Sequence, residues 1–267
     1  KQGISAAVCS SIGRDERGEG IIGKLRNYDV GTDFMQRQET DTTGLSFLIQ
    51  DMKSNEHIIL MDRGANEKLA VGPEVLKKAN PKWIYVSSLS GKNWYKNLDA
   101  VSDFVSKNDV KLAFNPGFAQ VAARDKILKF LDRTDVIVLN KDEAIELTQV
   151  NGKEDIEDFV LLARKISKLG PKIVAITDGK KGAYVFDKKD LYFSKIYKVD
   201  TVDTTGAGDS FGSTFVAGLY LKNDIPRALK MAIVNSAAVT REFGAQNGLM
   251  ILEEIDEKIG DVEVNKV

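Results

Sequence analysis

Between residues 203 and 212 the chain reads Asp203-Thr204-Thr205-Gly206-Ala207-Gly208-Asp209-Ser210-Phe211-Gly212. Two glycines around one alanine let the backbone turn tightly and leave its amides unshielded. The apolar residues 211–221 that follow read as a helix. A turn of this kind at a helix start presents several N–H groups without partners, together with the positive end of the helix dipole, and so forms an anion site. Asp209 falls in the first turn of that helix, beside the place where an anion would rest. A carboxylate there is electrostatically unfavourable unless it has a task, such as taking the proton from a hydroxyl that attacks a bound phosphate. The same residues also suit an ordinary strand-to-helix turn with an aspartate cap, so the ten residues alone leave both readings open.

The elements that would position this turn follow a regular pattern. Short apolar strands are expected at residues 6–12, 83–86, 110–114, 136–139 and 173–176, with an extended run at 191–202. Amphipathic helices are expected at 21–28, 95–106, 119–131, 142–148, 156–169, 225–243 and 251–259. Alternation of this kind argues for an α/β fold, a mostly parallel sheet covered on both faces. Ligands in such sheets sit beyond the carboxyl ends of the strands. Asn115, Asn140, Thr177 and the 206–209 turn each follow a strand and are expected at one sheet edge. Residues 45–50 and 57–61, joined by polar residues 51–56, read as a hairpin, too small to bury much by itself.

Composition narrows the classes. A chain of 267 residues suits one large α/β domain or two small ones. A net charge of −1 gives no electrostatic case for nucleic acid or an acidic membrane. No apolar run reaches the roughly 18–20 residues of a membrane span, and no secretory signal is expected. A single cysteine, Cys9, fits a reducing cytoplasm, and one histidine with one cysteine excludes a His/Cys metal cluster. The chain starts at Lys1 without a methionine and runs at once into a strand-like segment, so it is expected to lack its true beginning.

With these pieces together, the chain resembles the ribokinase-like sugar kinases, the PfkB carbohydrate kinase family. The resemblance rests on residues 203–209, which match the family's C-terminal signature. Supporting matches are Gly64-Ala65-Asn66, Asn140-Lys141-Asp142-Glu143, Thr177-Asp178-Gly179-Lys180-Lys181-Gly182-Ala183 and Asn235-Ser236-Ala237-Ala238. It implies a three-layer sandwich around a mostly parallel sheet with a small β lid: residues 1–29 and 67–267 as the core, residues 30–66 as the lid, and the family's N-terminal strand and sugar-binding segment missing. It implies transfer of the ATP γ-phosphoryl group to a hydroxyl of a sugar or nucleoside. Asp209 would be the base and Gly206, Ala207 and Gly208 the anion hole. Asn140, Thr177, Gly179, Gly182 and Asn235 would hold the nucleotide, and Glu143 would act on Mg2+ through water. Asp203 and Thr205 would form one side of a monovalent-cation site for K+, and Gly244 lies in the segment that supplies the other side. A homodimer through the lid is a further implication. Thr214 departs from the family pattern, standing where Ala or Gly is usual.

Three alternatives bear on these residues. Asn140 and Glu143 have the spacing of a helix capping box as well as of a phosphate site. A nucleotide-binding protein of the same fold that no longer phosphorylates sugar is the second reading of the whole chain. A Rossmann dehydrogenase is disfavoured, because no Gly-x-Gly-x-x-Gly follows an early strand.

Overall fold

The computed structural model describes residues 1–50, 57–149 and 157–267. The connection at residues 51–56 of the expected hairpin and the start of the helix expected from residue 156 lie outside these. The chain divides into two compact units, residues 5–81 with 89–107, and residues 1–4, 82–88 and 108–267.

In the smaller unit, β1 (Ala7–Gly13) leads to α1 (Glu16–Arg26) and back to β2 (Gly31–Gln38), which runs parallel to β1 in a two-stranded sheet. The strand expected at residues 6–12 therefore pairs only with β2, a strand the sequence pattern did not single out. Asp15 organises this unit. One carboxylate oxygen accepts from Gly18 N (2.8 Å) and Thr43 Oγ1 (2.6 Å), and the other accepts from Thr43 N (2.7 Å). These bonds favour the charged form and hold the Asp15 carboxyl down at about 2. They also explain why α1 begins at Glu16, five residues before its apolar spacing does. The hairpin is present as β3 (Leu45–Gln50) and β4 (His57–Asp62), antiparallel, with Phe47, Leu48, Ile49 and Ile58 to Met61 all exposed. α2 (Pro73–Ala79) and α3 (Trp94–Lys107) complete the unit. Buried Asn97 of α3 ties down the chain before α2, donating to Leu69 O and accepting from Val71 N.

The larger unit holds β5 (Trp83–Val86), β6 (Lys111–Phe114), α4 (Phe118–Ala122), α5 (Arg124–Leu131), β7 (Val136–Asn140), α6 (Lys141–Thr148), α7 (Phe159–Ser167), β8 (Ile173–Thr177), β9 (Ala183–Phe186), β10 (Leu191–Ser194), α8 (Ala207–Lys222), α9 (Ile225–Val239), α10 (Leu252–Lys258) and β11 (Asn265–Lys266). The strands form one sheet in the order β11-β10-β9-β8-β7-β6-β5, parallel from β5 to β8 and antiparallel from β8 to β11. Strand side chains alternate between faces. Ala113, Val136, Val138, Ala175, Ala183 and Val185 pack with Phe211, Phe215 and the apolar face of α9. The intervening Phe114, Ile137, Leu139, Val174 and Ile176 are also fully buried, and Phe114 meets Phe130 of α5 edge to face. Burial on both faces is why these strands read as continuous apolar runs. The single helix expected at 119–131 is interrupted at Ala123, whose ψ of 45° leaves the helical region. The extended run expected to 202 is strand only to Ser194.

α8 buries eight of its 16 residues, among them Phe211, Phe215 and Leu219, and leaves Asp209, Ser213 and Tyr220 exposed along one side. Its approach to α9 is so close that a Cβ on Gly218 would lie 2.7 Å from Ala228 Cα and 2.8 Å from its Cβ. An alanine in mid-helix normally gains about 1 kcal/mol over glycine. Here overpacking against backbone, typically about 1–3 kcal/mol, opposes that gain. Gly218→Ala is therefore expected to lower the urea midpoint, and a raised midpoint would show that α9 moves aside freely.

Candidate active site

β6, β7 and β8 are parallel neighbours, so their carboxyl ends share one sheet edge, and the start of α8 joins them there. The residues that follow β6 and end β7 and β8, together with the 206–209 turn, surround a cavity of about 250 Å3 lined by Asn115, Asn140, Glu143, Thr177, Gly206, Gly208 and Asp209, among others. The convergence read from strand-end positions is thus realised within the larger unit.

The turn is built by backbone geometry. Gly206 has φ +80°, a left-handed conformation that favours glycine, and a Cβ there would lie 2.7 Å from Ala245 Cα. It is the N-cap of α8, with no side chain capping the first turn. Gly206, Gly208 and Asp209 face the cavity, whereas Ala207 does not line it and its N–H donates to Thr204 O at 3.2 Å. Of the expected trio, Gly206 and Gly208 line the cavity and the Ala207 N–H is engaged within the turn. Ala207 serves the turn itself.

Asp209 lines the cavity while still open to solvent, and partial desolvation of its carboxyl pushes it above the usual value of 3.8. Tyr85 of β5 is a neighbour that no motif singled out. Its hydroxyl donates to Asn115 Oδ1 at 3.2 Å, and Asn115 Nδ2 donates to Val138 O at 2.9 Å. Burial, then the charge of Asp209, push the Tyr85 hydroxyl far up, so it stays a donor. The same hydroxyl would sit 2.6 Å from a Cβ at Gly212, which is why α8 carries glycine one turn after Asp209. The only sequence signal for Tyr85 is a polar aromatic near the end of a strand. Ser210, next to Asp209, has a buried hydroxyl with no hydrogen-bond partner among the described residues.

Asn140 and Glu143 form a reciprocal capping box on α6: Glu143 N donates to Asn140 Oδ1 and Asn140 N donates to Glu143 Oε2, both at 2.8 Å. Capping and cavity lining coexist, since both residues face the cavity. Burial, with Asp142 adding to it, raises the Glu143 carboxyl against the opposing bond from Asn140 N. Thr177 faces the same space, whereas Gly179 and Gly182 do not line it. They shape the turn between β8 and β9 with φ of +50° and +122°, and a side chain on Gly182 would run into Ser194 O. Asp203 accepts from Thr205 N (2.9 Å), Thr205 Oγ1 (2.7 Å) and Gly244 N (3.0 Å). These bonds, Gly244's foremost, hold its carboxyl below the usual range. Asn235 departs most from its expected place. It is fully buried, off the cavity, with Nδ2 on Thr214 Oγ1 and Oδ1 accepting from Met250 N. Among the described residues no group of three or more His, Cys, Asp or Glu is placed to hold a metal ion. No described helix is long and apolar enough to cross a membrane.

The architecture is that of the ribokinase-like α/β class. A candidate ribokinase II from E. coli, solved in complex with ATP and Mg2+, superposes with a TM-score of 0.84 at 23% identity, covering 97% of this chain and 84% of that one. The profile of the pfkB family carbohydrate kinases matches residues 1–251, and the chain belongs to that family, which makes it a sugar kinase by class. An uncharacterized sugar kinase of Archaeoglobus fulgidus is 28% identical over 250 residues, covering 92% of this chain and 96% of the relative. A ribokinase of Haemophilus influenzae is 28% identical over 255 residues, covering 94% and 80%.

A partly desolvated carboxylate with a raised pKa, as at Asp209, costs folding free energy when ionised. The folded state then binds the proton more tightly than the unfolded one, so stability rises as pH falls through the raised value and the penalty is gone below 3.8. Asp209→Asn is expected to unfold at higher urea than the parent at pH 7, with the gap closing as pH is lowered. A variant less stable than the parent at pH 7 would show that the helix dipole outweighs desolvation at this position.

Proposed function

We propose that this kinase transfers the γ-phosphoryl group of ATP to a hydroxyl of a sugar or nucleoside held at the 206–209 turn. The observation that carries the reading is the carboxylate residue Asp209 lining one cavity with Gly206 and Gly208 at a helix N-terminus. Phosphoryl transfer needs positioning and charge stabilisation more than covalent help from the protein. In this reading Asp209 accepts the proton of the attacking hydroxyl. The raised affinity of its carboxyl for protons, from partial desolvation, makes it a better acceptor than an ordinary aspartate. The cavity-facing amides of the turn receive the charge on the moving group, with Ala207 closing the turn behind them.

Asn140, Thr177 and Glu143 are assigned to the phosphate side, with Gly179 and Gly182 shaping the adjoining turn. When bound, Mg2+ supplies charge neutralisation on the phosphates, and Glu143 holds its water shell. Asn235 is assigned an indirect part in nucleotide binding, through α9 and the loop after it. Asp203 and Thr205 are assigned to K+ on the resemblance alone, and adding or omitting K+ in the assay below tests that assignment. Residues 30–66 are assigned the part of a lid that excludes water from the reaction. The exposed apolar residues of β3 and β4 give the hairpin surface to bury, on substrate or on a second copy in a homodimer. A cytoplasmic setting is proposed on the lone cysteine.

A coupled ADP-release assay with ribose, fructose, 2-keto-3-deoxygluconate, adenosine and inosine tests the reading. One acceptor is expected to stimulate ADP formation in Mg2+. Asp209→Asn is expected to keep ATP binding and lose about 10²–10⁴-fold in kcat. The acid limb of the parent's kcat/KM profile is expected above the 3.8 of an ordinary aspartate. ATP binding without acceptor-dependent turnover would favour the non-catalytic reading, and normal turnover in Asp209→Asn would remove the residue as base.

A further inference from the structure

α8 begins at the anion turn and is tied back to it by a closed circuit of contacts. At the near side, Val202 N and Asp203 N donate to Thr240 O (2.8 and 3.2 Å), and Asp203 Oδ2 accepts from Gly244 N. Gly206 lies flat against Ala245, with no room for a Cβ. Residues 244–248 thus form the backing on which the turn rests. This stretch has little of its own to hold it, since residues 241–248 are exposed. Its far end is fastened inside the protein. Gly248, at φ +76°, packs its backbone on the Ala238 carbonyl, and Met250 N donates to Asn235 Oδ1 at 2.9 Å. Asn235 Nδ2 in turn donates at 2.8 Å to Thr214 Oγ1, on the same helix whose first turn the loop supports.

Asn235 and Thr214 are both 0% exposed. A polar pair inside an otherwise apolar α8–α9 interface is costly unless fully bonded, and an apolar pair of the same size would serve packing as well or better. The two polar groups therefore define a geometry that packing would leave loose. We infer that Thr214 and Asn235 are positioning residues: through Met250 N they fix the 244–249 loop, and through that loop they set the position of Gly206 and the turn after it relative to Asp209. This rests on the phosphoryl-transfer reading for its catalytic consequence, and on the contacts alone for the positioning itself. It also gives a task to a threonine in a helix position where a small apolar residue would pack without a partner.

The experiment compares Thr214→Val, Asn235→Leu and Thr214→Ser with Leu162→Ala, a core truncation in α7 that serves as a control for lost stability. Amide exchange is followed by mass spectrometry over 203–209 and 244–250, and kcat and KM are measured per folded molecule with the acceptor that works best. Thr214→Val and Asn235→Leu are expected to speed exchange in both segments and to lower kcat about 10–100-fold, the cost of misplacing reacting groups by up to about 1 Å, with KM for the acceptor unchanged. Thr214→Ser, which keeps the hydroxyl, is expected to restore both, and Leu162→Ala to leave both segments as in the parent. Exchange at 203–209 in Thr214→Val no faster than in Leu162→Ala overturns the inference, and so does faster exchange with kcat retained. If the parent shows no acceptor-dependent ADP release, the phosphoryl-transfer reading fails separately, and the exchange data alone decide whether the pair positions the turn.

Discussion

The left-handed backbone at Gly206 is the constraint on which the rest of the site depends. It lets the chain enter α8 so that Gly208 and Asp209 face the cavity, and it lets residue 206 lie against Ala245 without a side chain between them. A residue with a Cβ would be strained twice, by its φ and by that contact. Everything nearby serves this one turn: Asp203 gathers Thr205 and Gly244 before it, Thr204 O takes the Ala207 amide within it, and the sheet edge faces it with Asn115, Asn140 and Thr177.

Hydrogen bonding at one and desolvation at the other move the two acidic groups of the turn in opposite directions. Asp203 is surrounded by donors and stays easily ionised, so it acts as a fixed acceptor that knots the backbone. Asp209, six residues on, has no such set of donors among the described residues, and partial desolvation raises its proton affinity. Environment thus gives two aspartates of one short motif opposite proton affinities, since hydrogen bonds to a carboxylate favour the charged form and desolvation disfavours it. Tyr85 adds to this contrast. Its hydroxyl stays protonated beside Asp209 and spends its proton on Asn115, so the wall of the cavity is set by a neutral donor chain that ends on the Val138 carbonyl.

Asn140 and Glu143 show how one pair of residues meets two demands. Their capping bonds use Oδ1 of the amide and Oε2 of the carboxylate, and they fix both side chains at the start of α6 facing the cavity. Spacing alone suggested a cap, and the structure shows that capping and cavity lining coexist: the cap orients groups that line the cavity. The fold gives the same residues a local and a tertiary role because helix N-termini need acceptors and the sheet edge is where those N-termini meet.

What the sequence determined by itself was whatever local chemistry decides. Gly206 and Gly208 around one alanine could only mark a tight turn, apolar runs buried on both faces could only be inner strands, and strand-end polar residues had to gather at one edge of a parallel sheet. Membership of the family was legible from the same motif and its fellows. Tertiary structure decided the rest, because burial and long-range pairing leave no local trace. It placed residues 7–13 with β2 outside the larger sheet, turned Ala207's amide inward, brought in Tyr85 from a strand with no motif, and buried Asn235 against Thr214 and Met250, positions 21 and 15 residues away along the chain. A buried amide and a solvent-facing one look the same in a sequence, and only the packing of α8 on α9 tells them apart.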